Sequence, residues 1–183
     1  MEVMVSAPAG VEWTHEDLDA LPQTHALRYE LVDGQLLVSS APSTKHQRAL
    51  RGLFRLLDAT CPPELEVLFA PVDFRPTARR SLQPDLLVFR RAELTSEGLT
   101  SGLVLAVEIL SPSTLSVDLI LKRALYEEAG IESYWVVDPD EPSIVVWMLR
   151  DGTYIEAGRA VGDQSLGVPA PYAVTLVPAA LTA

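Results

Sequence analysis

LVLAVEILSPSTLSVDLILKRALYEEAGIESYWVVDP, residues 103–139, carries the pattern that decides the fold. Residues 103–110 are apolar except for Glu108. A near-continuous apolar run of this length reads as a central strand buried on both faces. SPST then breaks the chain. Residues 117–129 read as a helix ending at Gly130, a residue suited to the left-handed stop of a helix, with Ile131 placed to pack back. SYWVVD (133–138) returns to a strand.

Outward from this stretch the same signals recur. SIVVWML (143–149) is a further strand, and Asp151-Gly152 sets up a hairpin with TYIEA. The last twenty residues are apolar and proline-containing and read as extended chain. Upstream, PDLLVF (84–89) is a strand with its proline tolerated at the start, PTARRS a turn and EVLFAPVDF (66–74) another strand. Residues 44–58 form a helix, with Thr44 and Gln47 at capping-box spacing. Leu50, Leu53, Phe54 and Leu57 make its apolar stripe, and Lys45, Arg48, Arg51 and Arg55 a basic one. In RYELVDGQLLV two apolar-rich runs flank Asp33-Gly34, a strong hairpin signal. Residues 13–21 read as a short helix capped by Thr14, with Glu16 and Asp17 in its first turn. The order predicts one mixed α/β domain over residues 1–183, an α+β arrangement of a central sheet with helices on its flanks.

Composition narrows the function. A single cysteine, Cys61, excludes an internal disulfide and a cysteine-cluster zinc site, and fits a reducing compartment. Two prolines follow it and no basic neighbour activates it, so it reads as structural. The N-terminus lacks the basic and apolar regions of a signal peptide. No apolar run reaches the roughly 18 residues of a membrane span, so a soluble, cytoplasmic protein is expected. The net charge of −11 weighs against nucleic-acid binding, which draws on Lys and Arg. Yet residues 45–91 carry nine Lys/Arg against five Asp/Glu, +4, while the remainder carries −15. The basic segment suits a local phosphate site or chance equally well.

Asp85 and Glu108 are the first candidates for chemistry. A carboxylate in a buried strand is costly unless paired, hydrogen-bonded or metal-bound, and hard cations such as Mg²⁺ commonly take one or two carboxylates plus water and phosphate oxygens. The competing reading has Asp85 capping a turn and Glu108 pairing with a buried Arg or Lys. Lys122 follows on the next helix, sharing a face with Asp118 and Tyr126. It stands either at the border of a cleft or on an ordinary surface beside Asp118. Glu30, among Tyr29, Leu31 and Val32, points into the same cleft or occupies an exposed alternate position. His46 lies in the first turn of the basic helix. The three histidines, His15, His25 and His46, have no zinc spacing, and phosphate-loop, dinucleotide-binding and serine-hydrolase motifs are absent.

RYELVDGQLLV, SxxHQ, QPDLLVF, LAVEILSPST and DLILKRALYEEAGIESYWVVDP together resemble the Uma-two family of restriction-endonuclease-like proteins. It is abundant in cyanobacteria and other bacteria and belongs to the PD-(D/E)XK superfamily. The resemblance runs from about Trp13 to Trp147. It implies a restriction-endonuclease-like central mixed sheet flanked by helices, here with extra N-terminal and C-terminal hairpins. It also implies a Mg²⁺ or Mn²⁺ site at one sheet edge, formed by Asp85, Glu108 and the Ile109 carbonyl, and hydrolysis of phosphodiester bonds, of DNA first of all, to 5′-phosphate and 3′-hydroxyl ends. The superfamily lysine lies two residues after the second carboxylate. Leu110 stands there in this chain, so Lys122 becomes the candidate, with Glu30 the fourth polar member. His46 and Asp118 match family positions without an assigned role. His46, Arg48, Arg51, Arg55, Arg79 and Arg80 are candidate phosphate contacts, and a homodimer would suit a two-strand cut. The alternatives are a nuclease-like binding or assembly module with little catalysis, or a hydrolase of smaller phosphate esters.

Overall fold

In the computed structural model of the protein, residues 3–5, 12–22, 27–111 and 117–183 are described. Strand β1 (Val3–Val5) precedes helix α1 (His15–Asp19), the hairpin β2 (Leu27–Val32) and β3 (Gln35–Ser40), and helix α2 (Thr44–Asp58). Four strands follow, β4 (Leu65–Phe69), β5 (Phe74–Thr77), β6 (Arg80–Leu82) and β7 (Leu86–Arg90), then β8 (Leu103–Ile109). A π-helical turn (Val117–Lys122) runs into α3 (Arg123–Glu128), which leads to β9 (Ser133–Asp138). β10 (Ser143–Arg150), β11 (Thr153–Val161), β12 (Leu166–Val168), β13 (Val174–Leu176) and α4 (Pro178–Leu181) complete the chain.

The main sheet has six strands in the order β11-β10-β9-β8-β7-β4. Its pairs are antiparallel except β8 with β9, which run parallel across the α3 crossover. Every residue of β8 is buried, as its apolar run predicts. On one face Leu86, Val88, Val107 and Ile109 pack against Leu50, Leu53 and Leu57 of α2. Burying each leucine contributes about 1.5–3 kcal/mol, and their spacing along α2 leaves Arg48, Arg51 and Arg55 facing outward. On the other face Leu87, Ala106 and Val136 pack against Leu125 and Tyr126 of α3 and against Leu37 and Leu82.

Leu37 and Leu82 belong to a second, five-stranded sheet, β1-β3-β2-β6-β5, so the core is built on two large sheets where the sequence predicts one. The expected strand over 66–74 is two strands, β4 in one sheet and β5 in the other. Between them lies Pro71, which cannot donate to a ladder. PTARRS is the tip of the β5–β6 hairpin.

The turn chemistry is as read. Asp33 and Gly34 both have positive φ (48° and 79°), as do Asp151 and Gly152 (50° and 79°). Thr14 and Asp17 form a reciprocal capping box on α1. The cap of α2 lies one residue earlier than expected: Ser43 accepts from the His46 N–H, and Thr44 is already helical. α3 stops at Gly130 (φ 74°), and the Ile131 N–H donates back to the Tyr126 carbonyl at 3.0 Å. The C-terminal segment is structured where extended chain is expected: β12 and β13 pair, and Leu176 and Leu181 enter the core against α2. No described helix is long and apolar enough to cross a membrane. His25, the 112–116 stretch and the side chain of Asp118 lie outside the described residues.

Candidate active site

Asp85 sits one residue before β7, and Glu108 is the next-to-last residue of β8. Leu86 pairs with Val107, and continuing that antiparallel register by one place brings Asp85 beside Glu108. The Ile109 N–H donates to Asp85 Oδ2 at 2.8 Å and closes this junction. The main-chain end of one strand thus fixes the carboxylate at the start of its neighbour.

Two groups of side chains converge there. Around Asp85, Arg28 Nη1 donates to Oδ1 at 2.8 Å and His46 Nε2 meets Oδ2 at 2.9 Å. His46 stands in the first turn of α2, so the positive end of that helix lies beside the carboxylate. Around Glu108, the Tyr126 hydroxyl donates to Oε1 at 2.9 Å, and Lys122 Nζ lies 3.1 Å from the same oxygen. Lys122 also lies 3.0 Å from Glu30 Oε2, while the Gln83 N–H donates to Glu30 Oε1 at 2.8 Å. Glu30, Asp85, Glu108 and Lys122 are each no more than 3 % exposed.

The electrostatics follow from this packing. Burial alone would raise the Asp85 carboxyl, but the His46 hydrogen bond and the charges of Arg28 and Lys122 outweigh it and hold the group well below its ordinary value. Burial would likewise lower Arg28, and the opposing charges of Asp85, Glu30 and Glu108 instead push it up. Burial, with the negative charge of Glu108 and Glu30 added, drives Tyr126 well above the ordinary phenol range, so it acts as an O–H donor. Three carboxylates therefore face two cations, Arg28 and Lys122, with an imidazole alongside.

The structure brings together Glu30, His46, Asp85, Glu108, Ile109 and Lys122. Glu30 is buried rather than in an exposed alternate position, and Lys122 turns inward rather than lying on a helix surface. Glu108 is paired with a buried lysine, the competing reading of the sequence, while standing beside Asp85 at the junction. Leu110, at the usual lysine position, is apolar core, and the ammonium arrives instead from the helix twelve residues further on.

The candidate phosphate contacts apart from His46 have other surroundings. Arg79 bonds Glu12 and the Asp33 carbonyl, Arg80 bonds Asp33 and Glu128, and Arg51 donates to the Ala183 carbonyl. Lys45 pairs with Asp140, and Arg48 and Arg55 are exposed. Two members were missed by sequence reasoning. Arg28 lies two residues before Glu30, hence on the same strand face. Tyr126 is one helical turn after Lys122, a spacing visible in the sequence but assigned no role.

One end of the mixed sheet thus carries a carboxylate-rich junction with a lysine folded onto it. The sequence profile of the Uma2 family, described as "Putative restriction endonuclease", matches residues 15–176, and the chain belongs to that family. Among solved structures it is similar to one titled as a putative nuclease belonging to DUF820 from Anabaena variabilis ATCC 29413. The two share 20 % identity and a TM-score of 0.71, over 92 % of this chain and 97 % of that one, a likeness of fold. No curated protein matches the sequence.

Proposed function

We propose that the protein is a metal-dependent endonuclease that hydrolyses phosphodiester bonds, with DNA the first substrate to test. The observation that carries this reading is the Asp85–Glu108 junction: two carboxylates adjacent in register, buried, and backed by a lysine.

The donor chemistry fits a hard divalent cation such as Mg²⁺ or Mn²⁺. The donors are carboxylate oxygens, Asp85 is held ionised, and the cluster carries one more carboxylate than cations. Among the described residues no three acidic, histidine or cysteine side chains converge as a ready ligand set. An ion would be held by Asp85, Glu108 and the Ile109 carbonyl, with water and phosphate oxygens completing its shell. Bound there, such an ion supplies Lewis-acid polarisation of a phosphoryl oxygen and activation of water. The chain's own residues do the rest. Tyr126 and Lys122 fix the Glu108 carboxylate, and Arg28, His46 and the Ile109 N–H fix Asp85. Lys122 supplies positive charge where negative charge develops on the phosphate.

A second reading has one observation in its favour: each carboxylate already has a cationic partner within the protein. A nuclease-like binding module whose carboxylates are all paired within the protein would look the same. Plasmid cleavage by wild type, Asp85→Asn and Glu108→Gln, with Mg²⁺, Mn²⁺ and EDTA, separates the two. The nuclease reading expects divalent-dependent nicking lost in both variants while their far-ultraviolet circular dichroism is unchanged. Cleavage that survives both substitutions would remove the assignment.

A further inference from the structure

We propose that Arg28 is a phosphate contact of the active-site cleft, offering the unspent side of its guanidinium to a phosphodiester oxygen lying over Asp85. This rests on the phosphodiester reading above and deepens it.

Beside the buried cluster opens a cleft of about 970 Å³, walled by segments around Leu18, Tyr29, Gln47, Val72 and Ser96. Glu30, Asp85, Glu108 and Lys122 are buried behind its wall. Among the described residues bonded to the three carboxylates, Arg28 and Gln83 also line the cleft. Gln83 meets Glu30 through its backbone and turns its side-chain amide to Asp73. Arg28 is thus the charged group that reaches from the cluster to the open space.

Its bonding is one-sided. Both of its hydrogen bonds leave from Nη1, to Asp85 Oδ1 at 2.8 Å and to the Gln83 carbonyl at 3.2 Å. Nε and Nη2 have no partner among the described residues, and 22 % of the side chain is exposed. A guanidinium has five N–H donors in a rigid fork. Two anchoring bonds through one nitrogen fix the plane of the group and leave the donors of the other two nitrogens unspent. Such a pre-oriented fork matches the geometry of phosphate oxygens.

The other arginine of the cleft does not compete for this role. Both Nη groups of Arg75 are bonded to Asp19 and Asp73, the shortest contacts at 2.5 and 2.7 Å, and its unpartnered Nε is buried away from solvent. The cleft otherwise carries acidic side chains, including Glu97, and of its two arginines Arg28 is the one with a whole Nη group free of partners among the described residues. A phosphate seated there would lie against the Asp85 end of the carboxylate junction.

Equilibrium binding of a short duplex DNA to wild type, Arg28→Gln and Arg28→Lys, across a salt series in EDTA and again with Ca²⁺, tests the proposal. Arg28→Gln should bind about tenfold more weakly, and the slope of log affinity against log salt should fall by about one, the signature of a lost phosphate contact. Arg28→Lys keeps the charge and loses the fork, so it should recover the slope and only part of the affinity. It also covers the case in which Arg28→Gln fails to fold, since an Arg28→Lys affinity equal to wild type would overturn the fork. A folded Arg28→Gln with an unchanged slope would make Arg28 a mere anchor for Asp85, leaving the phosphodiester reading intact. Wild type that binds no DNA in either condition would overturn both.

Discussion

Replacing Lys122 by methionine probes the cluster at its most exposed energetic point. The side chain keeps its length and loses its charge. Glu30 and Glu108, fully buried and 3.0 and 3.1 Å from Nζ, would then face each other's charge without a shared cation. At an effective dielectric of about 20 each pair has a gross attraction of about 5 kcal/mol, most of it offset by the cost of burying the charges. Removing one partner of such a buried network leaves that cost uncompensated and destabilises by about 3–5 kcal/mol. For a chain of this size each kcal/mol corresponds to about 2–4 °C, so a thermal midpoint lower by about 6–20 °C is expected. Adding Glu30→Gln and Glu108→Gln to Lys122→Met neutralises both stranded carboxylates and should recover stability. Differential scanning calorimetry of the two variants in EDTA checks this. A Lys122→Met protein within about 1 kcal/mol of wild type, the scale of a surface pair, would refute the claim that Lys122 holds the glutamates together.

Two further outcomes follow from the structure. A Cβ added at Gly52 of α2 would lie 2.3 Å from the Leu181 carbonyl oxygen. Gly52→Ala should therefore lower the urea midpoint by the equivalent of about 1–3 kcal/mol; a midpoint that rises, as for an open helix glycine, would show that α4 does not seat there. Asp85 has a folded-state value held below the ordinary 3.8, so its contribution to stability is complete above that value and is lost as pH falls toward the folded value. The stability gap between wild type and Asp85→Asn, from urea unfolding, should be narrower at about pH 3 than at about pH 7; a gap that widens on acidification would contradict the ion-pair account.

The parts of the fold legible in the sequence are those where one local signal dominates. The near-continuous apolar run of β8, the Asp-Gly turns at 33–34 and 151–152, and the Gly130 stop are each local signals strong enough to set the backbone. The second sheet was hidden because β5 and β6 are short and their hairpin joins the sheet through one pairing of β6 with β2, far off in sequence. The C-terminal β12–β13 pair and α4 were hidden for a similar reason: their order comes from packing Leu176 and Leu181 against α2, not from propensity. At the site, Glu108 announced itself as a charge inside an apolar strand. Arg28 gave no such signal, since an arginine near the start of a strand looks like an ordinary solvated residue until its aspartate, fifty-seven residues away, is brought to it.

Titration of Mg²⁺ and Mn²⁺ into wild type and Glu108→Gln by isothermal calorimetry tests the central claim most directly. The nuclease account expects saturable binding of about one ion per site by wild type and loss of that heat in Glu108→Gln. Wild type that takes up neither ion, or a variant that binds as well as wild type, would contradict it and leave Glu108 as a buried carboxylate whose one task is to hold Lys122.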